Sequence, residues 1–99
     1  MSRFIEKIYQ KSLQAKCGYG HKRLPCGITD ITTPKKHIEI KEYTMWKHAL
    51  GQILAYDYYD PKEKLEVHLF GEYPPEKKEI AKAVFDKYNI TIVEIIDCS

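Results

Sequence analysis

Apolar residues recur at helical spacing from Ser2 to Lys16, where Phe4, Ile5, Ile8, Tyr9 and Leu13 share one face before Gly18-Tyr19-Gly20 ends the pattern. Glu6 lies at the margin of that face and can look toward whatever the helix packs on. The period then switches to two. His21 to Leu24 reads as a short strand stopped by Pro25, and Gly27 to Thr33 and His37 to Tyr43 are β-rich runs joined by Thr33-Pro34-Lys35-Lys36. Pro34 suits the second position of a tight turn, so the two runs form a hairpin. Thr44 is placed to cap a second helix running to Tyr59, with Trp46, Ala49, Leu50 and Ile53 as its core stripe and Pro61 preventing continuation. Leu65 to Phe70 alternates as a strand. Pro75 opens a third helix with Ile80, Ala83, Val84 and Tyr88 on its buried face, Asn89 closes it, and Ile90 to Ile96 forms the last strand. The order α-β-β-β-α-β-α-β predicts one α/β domain over residues 1–99, a sandwich with a mixed sheet.

The hairpin brings charges together where a buried strand should carry none. Counting outward from the turn pairs Thr33 with Lys36, Ile31 with Ile38 and Asp30 with Glu39. Glu39 and Lys41 then project from one face of their strand, and Ile38 and Ile40 from the other. Asp30, Glu39 and Lys41 converge. On the following helix His48, Gln52 and Tyr56 stand at i, i+4 and i+8, a polar line along one edge of the apolar stripe.

Two carboxylates, a backbone carbonyl and a lysine are the parts needed to hydrolyse a phosphodiester. Mg²⁺ or Mn²⁺ held by Asp30, Glu39 and the carbonyl of Ile40 would lower the pKa of an attacking water and neutralise charge in the transition state. Lys41 would orient that water or meet the phosphate.

Gly-Ile-Thr-Asp at 27–30, Ile-Glu-Ile-Lys at 38–41 and Gln52-Ile-Leu-Ala-Tyr56, after an N-terminal helix bearing Glu6, resemble the PD-(D/E)xK nuclease superfamily. Gln-x-x-x-Tyr after Glu-x-Lys is similar to the branch holding RecB-type, CRISPR-associated and lambda-exonuclease-type enzymes. The stretch 46–52 is similar to standalone restriction-like domains of large DNA viruses. The resemblance covers residues 3–71 and implies a restriction-endonuclease-like three-layer sandwich, an α-β-β-β-α-β core extended by α-β. It also implies a metal-dependent deoxyribonuclease in which Asp30 and Glu39 bind the metal, Lys41 assists the water and Gln52 and Tyr56 support the site. Glu6 would join through water. The motif's proline is absent before Asp30, and three cysteines are too few for the iron-sulfur cluster of some members.

Charge supports a polyanionic partner. The net charge of +2 divides into ten Lys/Arg against four Asp/Glu in residues 1–50 and six against ten in residues 51–99. Lys22, Arg23, Lys35, Lys36, Lys47 and His48 are candidate phosphate contacts, and Tyr56, Tyr58 and Tyr59 either stack on bases or pack at the helix end. The charged N-terminal stretch has no signal-like apolar core and no run approaches a membrane span, so an intracellular protein is expected. Cys17, Cys26 and Cys98 form no disulfide framework; Cys17-x-x-x-His21 raises zinc, but idle thiols are the simpler reading. A chain this small is expected to grip duplex DNA as a homodimer or with a partner. Two alternatives compete with the nuclease: a nucleic-acid-binding module of the same fold that does not cut, and an interaction domain whose charges have no chemical role.

Overall fold

The computed structural model describes residues 2–95, with the side chains of residues 6–14 and 18–95. A helix, α1 (Ser2–Cys17), leads into a two-stranded antiparallel ribbon of β1 (Arg23–Leu24) and β2 (Gly27–Ile28). The main sheet holds β3 (Ile31–Thr32), β4 (Lys36–Glu42), β5 (Lys64–Phe70) and β6 (Ile90–Glu94) in that spatial order. β3 is antiparallel to β4, whereas β4, β5 and β6 run parallel. Parallel neighbours require crossovers. These are α2 (Trp46–Tyr59) between β4 and β5, and α3 (Pro75–Lys87) between β5 and β6.

The central strands are covered on both faces, so their alternation sorts residues between two cores. Val67, Leu69, Leu65 and Ile90 pack against Trp46, Ala49 and Ile53 of α2 and Ala81 and Phe85 of α3. Ile38, Ile40, Ile31 and Phe70 pack against Tyr9 and Leu13 of α1. The result is a three-layer α/β arrangement with a mixed sheet. His68 ties α1 to the sheet: its Nε2–H donates to Glu66 Oε1 at 2.9 Å, which leaves Nδ1 to accept from the Tyr9 hydroxyl at 2.7 Å. Burial holds this imidazole below its ordinary pKa, in keeping with the neutral tautomer.

Several expectations need correction. The run 27–33 is not one strand. It breaks at Thr29-Asp30 because the Thr29 hydroxyl takes the Lys22 backbone N–H at 2.9 Å and lies 2.7 Å from the Thr32 hydroxyl. Its first part pairs with β1 outside the main sheet, so the predicted first strand adds no strand to that sheet. Thr44 does not cap α2. It donates to Glu42 Oε1 at 2.9 Å, and a 3₁₀ turn, Tyr43–Met45, precedes the helix. The buried face of α3 is Ala81 and Phe85, with Val84 packed beside them as expected, leaving Ala83 exposed, Ile80 57% exposed and Tyr88 half-exposed. Ile8 of α1 is likewise exposed. Asn89 closes α3 as expected, with φ of 60°. Among the described residues no helix is long and apolar enough to cross a membrane. Cys98 and the side chain of Cys17 lie outside the described residues; Cys26 is exposed and free.

Candidate metal-dependent site

The turn closes as its sequence predicts. Thr33 N–H donates to the Lys36 carbonyl at 2.9 Å, and the ladder pairs Ile31 with Ile38 and Thr32 with His37. One residue further out, Asp30 has left strand geometry, yet its Oδ2 accepts the backbone N–H of Ile40 at 2.8 Å. This bond holds the Asp30 carboxylate against the strand that carries Glu39. Two glutamines of α1 hold the other side of Asp30: Gln10 Nε2 donates to its carbonyl at 2.8 Å and Gln14 Nε2 at 3.5 Å. Neither was singled out from the sequence, although Glu6, Gln10 and Gln14 stand at i, i+4 and i+8 and so form a polar line on the helix.

Glu39 is 1% exposed. Burial pushes its carboxyl up to about 9, helped by the negative charges of Asp30 and Glu6 and opposed by Lys41. Asp30 is also raised, chiefly by burial, with the Ile40 N–H, Lys41 and His21 pulling the other way. Lys41 is partly exposed and puts Nζ 3.9 Å from Glu39 Oε2, a loose pair. Even with Lys41 beside them, both carboxyls stay above their ordinary range.

α2 supplies the opposite wall. Tyr56 is buried, donates its hydroxyl to the Ile28 carbonyl at 3.0 Å and hydrogen-bonds the Gln52 side chain. Burial and the charges of Glu39 and Asp30 raise the Tyr56 phenol, so it stays protonated and acts as a donor. Gly27 lies where any Cβ would be 3.7 Å from the Tyr56 ring, with φ of 148°, a conformation glycine adopts freely. The β1–β2 ribbon thereby rests on Tyr56. Among the described residues the buried side-chain oxygens that meet no protein donor are Glu39 Oε1 and Gln52 Oε1, both in this neighbourhood.

The structure thus gathers Asp30, Glu39, Ile40, Lys41, Gln52 and Tyr56 around one position, with Glu6 acting on Glu39 through its charge. No three His, Cys, Asp or Glu side chains among the described residues form a metal cluster, so a cation here would find at most two carboxylates and backbone oxygen as protein ligands. Such a sparse, hard-oxygen donor set fits Mg²⁺ or Mn²⁺, since Mg²⁺ keeps much of its water.

The predicted phosphate contacts divide. Lys22 pairs with Asp60 at 2.8 Å and Lys36 with Glu66 at 3.0 Å, while Arg23 and Lys35 are exposed. These four lie near the turn end of the sheet. Lys47 and His48 are exposed on the first turn of α2, at the opposite end of that helix. Behind the turn a buried chain links Thr29, Thr32 and His37, whose Nε2–H donates to the Asp60 carbonyl at 2.7 Å.

Neither a protein-family model nor a solved structure matches the chain. It is similar to KilA-N domain-containing proteins of Acanthamoeba polyphaga mimivirus. One is 44% identical over 92 residues, spanning 90% of this chain and 23% of the relative. Two others are 38% identical over 88 residues, spanning 88% of this chain and 24% and 35% of the relatives. The chain therefore covers between about a quarter and a third of the length of the curated relatives it matches.

Proposed function

We propose that this domain is a Mg²⁺- or Mn²⁺-dependent nuclease of the restriction-endonuclease-like type, acting on DNA. The observation that carries the proposal is the excess of buried acceptor oxygen at one place. Glu39 Oε1 and Gln52 Oε1 lack protein donors, and two carboxyls are held above their ordinary range, chiefly by burial and at Glu39 also by the charge of Asp30. A protein gains nothing in stability from such a cluster. A site that takes up a cation has a use for it.

In this reading Asp30, Glu39 and the Ile40 carbonyl hold the ion, with Glu6 contributing through water. A bound divalent cation supplies an acidified water and a charge sink for the phosphate. Lys41 directs its ammonium at the same space and neutralises phosphate charge. Gln10 and the Ile40 N–H fix Asp30, and Tyr56 with Gln52 closes the α2 side. A second copy of the chain, or more of a longer protein, would help so small a surface grip a duplex.

The test is incubation with linear, circular, single-stranded and branched DNA in Mg²⁺, in Mn²⁺ and with chelator. Cleavage confined to the metal-containing reactions is expected. DNA binding without cleavage in either metal would instead favour a non-cutting module of the same fold.

A further inference from the structure

The end of the sheet nearest the β3–β4 turn carries a surface that the proposed chemistry leaves unused. Tyr58 and Tyr59 finish α2 and are 79% and 51% exposed, with ring centroids 5.0 Å apart and the rings at 87°. Packing does not account for them. The residues that follow bind this helix end to the basic turn: the Lys62 N–H donates to Asp57 Oδ1 at 3.0 Å, and the Lys64 N–H donates to the Lys35 carbonyl at 3.0 Å. Lys22 and Lys62 meet at Asp60, immediately after Tyr59.

The segments that adjoin this helix end carry six cations, Lys22, Arg23, Lys35, Lys36, Lys62 and Lys64, against the carboxylates Asp57, Asp60, Glu63 and Glu66. Among the described residues Arg23, Lys35 and Lys64 have no carboxylate partner, and all three are exposed. Exposed aromatic faces beside uncompensated cations match one kind of polymer, a strand whose bases are unpaired and free to stack while its phosphates follow the lysines. A duplex buries its base faces and could use only the charges. The surface is close to the proposed site. Tyr59 is three residues beyond Tyr56, ~4.5 Å along the helix axis, and Lys36 is three residues before Glu39, ~10 Å along the strand.

We propose that Tyr58 and Tyr59, with Lys35 and Lys64, bind single-stranded nucleic acid and present an unpaired strand to Glu39. The second half of this statement rests on the nuclease reading; the first half does not.

The test uses fluorescently labelled oligothymidylate and a duplex of equal length with the Glu39→Gln protein, so that binding is read without cleavage. Single strand is expected to bind at least ~10-fold more tightly than duplex. The Tyr58→Ala/Tyr59→Ala double variant should weaken single-strand binding ~10- to 100-fold, while Tyr58→Phe/Tyr59→Phe keeps it, because stacking needs the ring and not the hydroxyl. Lys35→Ala/Lys64→Ala should lower the salt dependence of binding. All four side chains are exposed, so circular dichroism and Tm should stay unchanged. Equal affinity for duplex, or unaltered binding by the alanine pair, would overturn the proposal. So would loss of self-association in the alanine pair with oligonucleotide binding intact, which would assign the tyrosines to a protein interface. Tyrosine-dependent binding without cleavage by the unmodified protein would sink the nuclease reading alone; cleavage indifferent to Tyr58 and Tyr59 would sink this one alone.

Discussion

Asp30 is tied to the strand of Glu39 by a single bond, from the backbone N–H of Ile40 to its Oδ2 at 2.8 Å. The bond lies at the bend just before β3 begins, so the carboxylate stays at the site although its own residue is outside the ladder. It also means that Ile40 serves the site through its backbone on one side and the α1 core through its side chain on the other.

Holding Asp30 and Glu39 together costs stability in the absence of metal. Glu39 has its carboxyl raised from 4.5 to about 9, so the folded chain keeps a proton that the unfolded chain releases. Folding stability should then fall as pH rises from 4.5 toward 9. Glu39→Gln removes the ionisation, and the variant should exceed the parent by about 1–3 kcal/mol at pH 8 and by little at pH 4.5. Denaturant unfolding in chelator at the two pH values measures this. A variant less stable at pH 8 would show that burial does not strain Glu39.

Metal uptake should release a proton, because the ligand is the carboxylate. Mn²⁺ affinity is expected to rise between about pH 6 and 9, and calorimetry in two buffers of different ionisation enthalpy should show proton transfer to buffer. Binding with no proton release and no pH dependence would separate the metal from Glu39.

Tyr56 should matter for stability as well as for the site. Tyr56→Phe leaves the Ile28 carbonyl and the Gln52 amide without their partner, which should cost about 1–3 kcal/mol in thermal or denaturant unfolding. A neutral result would mean that water replaces the hydroxyl and that the ribbon is not fixed by this bond.

The turn network offers a contrast between buried and exposed polar contacts. His37→Leu removes one partner of the buried Thr32 hydroxyl, which keeps Thr29, and leaves the Asp60 carbonyl without its imidazole donor, and should cost about 1–3 kcal/mol. Lys22→Ala breaks an exposed pair with Asp60 and should cost less than about 1 kcal/mol. Equal losses would contradict the assignment of strength to the buried chain.

Much of the site was legible in the sequence because it is local. Pro34 and a strict period of two fix the turn and its register, and the observed pairing of Ile31 with Ile38 follows from them. Only three residues separate the strand that carries Lys41, which ends at Glu42, from the helix that brings Gln52 and Tyr56. What escaped was decided by tertiary contacts. The break at Thr29 depends on a backbone donor seven residues earlier. Two faces of α3 have helical apolar spacing, and Phe85 with Ala81 packs where Ile80 with Tyr88 was expected. Gln10 and Gln14 become meaningful only once α1 lies across Asp30.

Single-turnover cleavage of labelled DNA in Mg²⁺ and Mn²⁺ tests the central claim most directly, comparing the parent with Glu39→Ala and Lys41→Ala. Both variants should lose cleavage by at least ~100-fold, with Lys41→Ala still binding Mn²⁺ and Glu39→Ala no longer doing so. Persistent cleavage by both variants would contradict the account.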